Sequence, residues 1–261
     1  MIKKYLPKFI INLLYKFLHV FRTIYLKGDN FICPICNFQA SRFLSYGDDN
    51  EAVIKFKIIG MGFRKNAICP MCQSKDRERL IFLFLKKLLK KKLIKYSSNI
   101  IHFSPERSIE KNFFRKKFVN YITADILAGK VDFILDLQDF KFKKKNFDLV
   151  ICNHVLEHIE NDLLAMKNIF SIMKSGGIAI LQVPFSSNID KDYKTDAVKS
   201  DLDRLNYYGQ TDHVRVYSES NYLKKLKDTG FNVQSDDMLQ QKQNIPSYGL
   251  NSSEKIIFVI K

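Results

Sequence analysis

The sequence predicts an α/β protein, a mostly parallel sheet with helices on both faces, preceded by a small metal-bound module. Beyond about residue 76, short apolar runs alternate with stretches of helical periodicity, the pattern of strands joined by crossover helices. Ahead of them stand two matching pairs, Cys33-Pro34-Ile35-Cys36 and Cys69-Pro70-Met71-Cys72. The two-residue gap lets both thiolates of a pair converge on one ion. The charge is also divided: residues 1–100 carry 20 Lys/Arg against 6 Asp/Glu, a balance of +14, whereas residues 101–261 carry 23 against 21, a balance of +2. The basic first part therefore points to an anionic partner, a phosphate backbone or an acidic membrane surface. An apolar content of 46% excludes a disordered chain. A chain of 261 residues buries enough surface to fold without disulfides.

Residues 1–27 contain Lys3, Lys4, Lys8, Lys16, Arg22 and Lys27 and no acid. Leu6, Phe9, Ile10, Leu13, Leu14, Phe17, Leu18, Phe21 and Ile24 recur at spacings of three and four, which predicts a helix with a wide apolar face. Its uncharged stretches are too short to cross a bilayer, and the small-residue cleavage site of a signal peptide is missing. Such a helix fits the surface of an anionic leaflet; packing on the body of the protein or on a partner is the alternative. The expected location is cytoplasmic, peripheral on the inner face of the membrane.

Cys33, Cys36, Cys69 and Cys72 predict a tetrahedral zinc site in a ribbon over residues 28–75. With thiolates in all four positions the site is closed and structural. Ala52–Ile59 is expected to supply ribbon strand, and Gly60 and Gly62 turns. Two independent disulfides or redox motifs are the alternative, disfavoured by the matched spacing and the missing secretory signal. Cys152 stands apart as a buried residue.

Residues 76–261 form the main domain. Leu80–Ile94 is expected as a helix whose outer face carries Lys86, Lys87, Lys90, Lys91 and Lys92. Strands are expected at Asn99–Phe103, Val119–Ala124, Asp132–Leu135, Phe147–Cys152, Ile178–Val183, Phe231–Val233 and Lys255–Ile260. Further helices are expected at Ser108–Lys117, at Leu163–Met173 ending at Gly176-Gly177, and at Asn221–Thr229 closed by Gly230. Such sheets bind ligands beyond the carboxyl ends of their strands. Positions 104–107, 125, 136–137 and 152–154 should therefore converge on one cleft.

The run FDLVICNHVLEHI at 147–159, followed by SGGIAILQVP at 175–184, resembles the class I S-adenosylmethionine-dependent methyltransferases. It is similar in particular to the type 11 branch, which includes small-molecule enzymes of quinone biosynthesis. A narrower group joins a basic N-terminal helix, a CPxC…CPxC ribbon and this domain, and is matched also by HFSPE at 102–106 and YGQTDHVRVY at 208–217. The resemblance implies a Rossmann-like domain with a seven-stranded, mostly parallel sheet, and S-adenosylmethionine as methyl donor. It assigns Asp125 to the ribose hydroxyls, Asp136 and Leu137 to the adenine, and Asn153 and His154 to the methionine part and sulfonium. The usual glycine-rich turn after the first strand is absent. Ser104 offers a hydroxyl there, and Glu106 a charge for the amino or sulfonium end.

Methyl transfer to a hydroxyl benefits from a general base, and His213 is the candidate. Asp212 is expected to orient it, with Arg215 and Tyr217 holding an anionic or sugar acceptor. His102 and His158 are expected in packing or loop-ordering roles. The leading function is methyl transfer to a small-molecule or saccharide acceptor near a membrane, such as a cell-surface glycan or its lipid-linked precursor. An RNA methyltransferase gripping phosphate through the lysine-rich first part is the second reading. A non-catalytic binding protein that has lost the cofactor is the third.

Overall fold

A computed structural model of the chain describes residues 7–142, 146–236 and 246–261. Lys3, Lys4 and Leu6 of the expected first helix lie outside the described residues. Helix α1 (Lys8–Tyr25) leaves Phe9, Leu13, Phe17, Phe21 and Ile24 exposed. Its foot is tied to the ribbon, where the Arg22 guanidinium donates to the Pro70 carbonyl at 3.2 Å.

The ribbon is two short antiparallel pairs, β1 (Lys27–Ile32) with β2 (Gln39–Ala40), and β3 (Leu44–Tyr46) with β4 (Arg64–Ile68). The segment expected as ribbon strand, Ala52–Ile59, is instead helix α2 (Glu51–Phe56). Asn50 caps it by accepting from the Val53 amide, and Ala52, Val53 and Phe56 share one buried face, a helical spacing that an apolar run alone does not distinguish from a strand. That face packs on Tyr208 and Val216 of the main domain.

Helix α3 (Asp76–Lys90) carries Asp76 and Glu78 in its first turn and Lys87 and Lys90 in its last, as the helix dipole favours. After it come β5 (Ile100–Phe103), a helical segment built of α4 (Arg107–Ile109), a π turn (Glu110–Phe114) and α5 (Arg115–Lys117), then β6 (Tyr121–Asp125), β7 (Phe133–Ile134) and β8 (Phe147–Cys152). A 3₁₀ turn at Leu156–His158 leads into α6 (Asp162–Ile172) and β9 (Met173–Ile180). Gly176-Gly177 does not end the helix before a strand. It lies within β9, where the pairing with β8 shifts register. The chain closes with β10 (Phe185–Ser186), α7 (Asp201–Tyr208), β11 (Tyr217–Ser218), α8 (Glu219–Asp228), β12 (Asn232–Asp236) and β13 (Ile256–Ile260). Helix α7 was not expected from the sequence.

Seven strands form one sheet in the order β12-β13-β9-β8-β5-β6-β7. Only β13 runs antiparallel to its neighbours. The sheet is the expected Rossmann-like one, and its central strands are apolar on both faces, as burial between two helical layers requires. Ile100, Leu149 and Ile151 face α3, Phe113 and Phe114 on one side, a core that takes in Ile35 and Phe43 of the ribbon. Ile101, Val150 and Cys152 face α6 and α8 on the other. Arg79 of α3 is fully buried where ribbon and sheet meet. Its guanidinium donates to the carbonyls of Ser74, Asn66, Tyr248 and Gly249, which satisfies the buried charge.

Candidate functional site

The cysteines close on one point. Cys33 Sγ lies 3.6 Å from Cys72 Sγ and Cys36 Sγ 3.7 Å from Cys69 Sγ, and all four sulfurs lie within 4.8 Å of one another. Disulfide sulfurs stand about 2.0 Å apart, whereas Zn–S bonds of about 2.3 Å set tetrahedral sulfurs roughly 3.8 Å apart. The two knuckles repeat each other: the amides of Asn37 and Gln73 donate back to the carbonyls of Cys33 and Cys69 at 2.8 and 3.0 Å, and both residues take positive φ, 60° and 59°. The Ser74 hydroxyl stands 3.4 Å from Cys33 Sγ and 3.1 Å from Cys72 Sγ. The thiol set and its spacing fit a structural zinc ion.

Of the strand-end positions expected to converge, 104, 125, 136, 137 and 154 do. A cavity of about 430 Å³ lies beyond β5, β6, β7 and β8, lined among others by Ser104, Asp125, Asp136, Leu137 and His154. Asp125 and Asp136 each spend one oxygen on the turn after their strand, accepting from the Leu127 amide at 3.0 Å and the Gln138 amide at 2.7 Å. Ile126 and Leu135 add apolar wall beside Leu137; the sequence signal for Ile126 was its place directly after the strand-end acid. Glu106 and Asn153 are not in that lining. The Glu106 carboxylate accepts from His102 Nε2 at 2.6 Å and from Asn153 Nδ2 at 3.2 Å. Burial opposes its charge, but the His102 contact, a backbone hydrogen bond and the Arg77 charge together hold Glu106 below the usual carboxylate range. His102 is itself fully buried and bonded to the Tyr121 hydroxyl, in the packing role expected. Asn153 Oδ1 is buried with no hydrogen-bond partner, an acceptor suited to an ammonium group such as the cofactor's. Two residues of this rim hold left-handed backbone, Ser104 (φ 47°) and His154 (φ 52°). That conformation is costly for non-glycine residues and concentrates at functional sites. The set fits S-adenosylmethionine, with acids placed for hydroxyls and amines and an apolar slot for a ring.

A second cavity, of about 810 Å³, opens between this rim and the ribbon. The ribbon loop supplies Tyr46, Asn50, Met61 and Arg64, α3 supplies Arg77, and the segment after α7 supplies Asp212 and His213. His154, His158 and Asp212 line both cavities, so the two meet at these residues. His213 is buried at 2% exposure, and burial, with His158 beside it, pushes its pKa down to about 4. It is therefore neutral at physiological pH. The Val214 amide donates to the Glu157 carbonyl at 3.0 Å, which fixes His213 over the loop after β8.

Three expectations about this segment are corrected. Asp212 stands against His158, its Oδ2 3.3 Å from His158 Nδ1, and so orients that ring, not His213. Arg215 is buried and paired with Asp162 at 2.5 Å. It also donates to the carbonyls of Ile159 and Glu160. Tyr217 is buried and donates to Asp162 at 2.8 Å. Both therefore brace α6 and face away from the acceptor cavity; the cavity is lined instead by Lys75 and Arg77, and Arg77 Nε is buried without a hydrogen-bond partner.

A family model described as a methyltransferase domain matches residues 74–236. Among solved structures, an S-adenosylmethionine-dependent methyltransferase from Archaeoglobus fulgidus is 16% identical with a TM-score of 0.44, covering 69% of this chain and 94% of its own. One from Mesorhizobium loti is 9% identical with a TM-score of 0.47, covering 66% and 95%. The Haemonchus contortus phosphoethanolamine N-methyltransferase 2, solved with phosphomonomethylethanolamine and S-adenosylhomocysteine, is 12% identical with a TM-score of 0.47, covering 69% and 53%. No curated protein sequence matches the chain. With the family match running over more than half of its length, from the last turn of the ribbon to the sixth strand of the seven-stranded sheet, the chain belongs to the class I methyltransferase domain family.

Proposed function

We propose that the protein transfers a methyl group from S-adenosylmethionine to a hydroxyl of an anionic small-molecule or saccharide acceptor. The observation that carries this reading is the junction of the two cavities at His154, His158 and Asp212, where a donor methyl and an acceptor oxygen can meet. Bound S-adenosylmethionine supplies a methyl group on a good leaving group, so the protein's main work is alignment. In this reading Asp125 takes the ribose hydroxyls, Ile126 and Leu137 flank the adenine beside Asp136, and Asn153 Oδ1 takes the ammonium group. Glu106 acts through Asn153, and Ser104 contributes its hydroxyl. On the acceptor side, Arg77 and Lys75 meet negative charge, while Arg64 is already neutralised by Asp76 at 2.6 Å. His213, neutral and inward, can accept a proton. The ribbon, held by zinc, presents the loop between β3 and β4 as one wall of the acceptor cavity.

In this reading the acceptor lies at a membrane surface, and the composition of α1 supports it. Its exposed apolar residues accompany Lys16 and Arg22 with no acid in the helix, a composition suited to an anionic leaflet. Among the described residues no helix is long and apolar enough to cross a membrane. RNA fits less well, because Lys86, Lys90, Lys92 and Lys95 cluster around a separate hollow that shares no residue with either cavity.

Calorimetry with S-adenosylhomocysteine tests the donor site. Zinc-loaded protein should bind, and Asp125→Ala should weaken binding at least tenfold, since charge-assisted hydrogen bonds are worth about 1.5–3 kcal/mol. Absence of binding by folded, zinc-loaded protein would refute the reading. Co-sedimentation with phosphatidylserine vesicles, lost on Phe17→Asp, tests the membrane contact.

A further inference from the structure

We infer that Glu157, His158 and His213 form a second metal site, taking a divalent cation at the junction of the two cavities. Their ligand atoms, one carboxylate oxygen and two imidazole nitrogens, lie within 4.8 Å of one another. Bonds of about 2.1 Å around a tetrahedral ion would draw such atoms to roughly 3.4 Å, a movement within reach of side-chain rotation. Glu157 is 1% exposed, lines the acceptor cavity, and neither carboxylate oxygen accepts a hydrogen bond of good geometry. An orphaned buried carboxylate is costly, and a cation is the partner that relieves both oxygens. The ring of His154 is near, its Nδ1 3.3 Å from Glu157 Oε1.

The histidines are prepared as ligands. His158 Nδ1 faces the Asp212 carbonyl at 3.2 Å and its carboxylate at 3.3 Å. Donation there leaves the Nε2 lone pair turned toward Glu157, the carboxylate–histidine–metal arrangement that fixes a ligand tautomer. His213 packs edge-on to His158, with ring centroids 4.8 Å apart. One carboxylate and two imidazoles suit Mn²⁺, Fe²⁺, Co²⁺ or Zn²⁺, with positions left open. This contrasts with the four-thiolate ribbon, which has none.

The open positions face the acceptor cavity, so the ligand class is a hydroxyl-bearing acceptor, which deepens and rests on the methyl-transfer reading. A cation there lowers the pKa of a bound hydroxyl. The hydroxyl proton leaves to water, the oxygen pair forms the new C–O bond to the donor methyl, and the C–S pair returns to sulfur as a neutral thioether. With a cation bound, Asp212 is a positioning residue for His158, and His213 serves as a ligand in place of the proton acceptor it would be without the ion.

The test is titration of zinc-loaded, full-length protein with Mn²⁺, following the free-ion signal by electron paramagnetic resonance. One Mn²⁺ per chain beyond the zinc is expected. Affinity should fall at least tenfold in both Glu157→Gln and His158→Gln, and about tenfold in Asp212→Asn. Glu157→Gln removes an unpaired buried carboxylate without changing volume, so it should fold with an unchanged or higher Tm, and the half-exposed His158→Gln serves as the second variant. No bound Mn²⁺, or binding unaltered in both variants, overturns the site. Calorimetry with S-adenosylhomocysteine on the same samples separates the failures. Cofactor binding without Mn²⁺ sinks the metal site alone, and Mn²⁺ binding without cofactor sinks the methyl-transfer reading alone.

Discussion

The two cavities meet at three residues but are built in different ways. The donor cavity is assembled at the ends of adjacent parallel strands, from Ser104 after β5, Asp125 as the last residue of β6, Asp136 after β7 and His154 after β8. The sheet register alone brings them together. The acceptor cavity is assembled from segments distant in sequence: the ribbon loop around Asn50 and Met61, the first turn of α3, and the segment at 209–213. Those are held by tertiary contacts such as Asn50 Nδ2 donating to the Gly209 carbonyl at 2.8 Å. A site set by sheet topology tolerates change at its edges, whereas a site set by packing depends on every wall.

The largest expected effect breaks the acceptor cavity and spares the donor one. Cys69→Ser removes a metal ligand worth a large share of a binding free energy on the order of 10 kcal/mol. Hydrogen exchange should then deprotect β1–β4 and residues 45–64 while β5 and β8 stay protected. Equal deprotection of β5 and β8 would mean that ribbon and sheet are one cooperative unit, as their shared core around Phe43 and α3 allows.

A smaller effect comes from charge behind the same wall. Glu254 is buried, and burial with Asp76 raises its carboxyl to about 7 against the pull of Arg64 and Arg77. The folded chain therefore keeps this proton between the unfolded value of 4.5 and about 7, while the unfolded chain loses it. Stability should fall as pH rises through that window, by up to about 3 kcal/mol. Glu254→Gln should flatten this dependence in urea melts taken between pH 4.5 and 8; an unchanged slope would assign it to other groups. Arg77→Met should raise the acceptor KM about tenfold, as expected for a lost charged hydrogen bond of about 1.5 kcal/mol, with S-adenosylhomocysteine affinity unmoved. A parallel loss of cofactor affinity would show that the cavities are coupled beyond their shared rim.

The same contrast explains what was legible in the sequence. The donor side follows from strand ends, and strands such as Phe147–Cys152 announce themselves as apolar runs. The knuckles follow from spacing. The acceptor side was hidden, because Ala52–Phe56 has the composition of a strand and becomes helix through the Asn50 cap and its packing on Tyr208. Arg215 and Tyr217 lie in a motif that reads as functional, yet Asp162, 53 residues before Arg215 in the sequence, claims both. Arg77 carries no local signal: it is one basic residue among many, and only the cavity distinguishes it.

Ser104 supplies the smallest and sharpest test, because it separates backbone from side chain at one position. Its φ of 47° lies where a glycine sits without strain, and the usual family turn has glycine at this point. Ser104→Gly relieves about 1–2 kcal/mol of backbone strain and gives back about 0.5–1 kcal/mol through the greater freedom of the unfolded chain, so Tm should hold or rise slightly. If the hydroxyl serves the cofactor, affinity for S-adenosylhomocysteine should nevertheless fall about three- to tenfold, the worth of one hydrogen bond. Ser104→Ala keeps the strain and loses only the hydroxyl, so it should match the glycine variant in affinity and the native chain in Tm. Unchanged affinity in both variants would mean that Ser104 serves the donor cavity through its backbone alone, held by the hydrogen bond its amide donates to the Ala124 carbonyl at 2.8 Å. The glycine-free turn would then be a rigid substitute for a flexible one, not a source of new contacts.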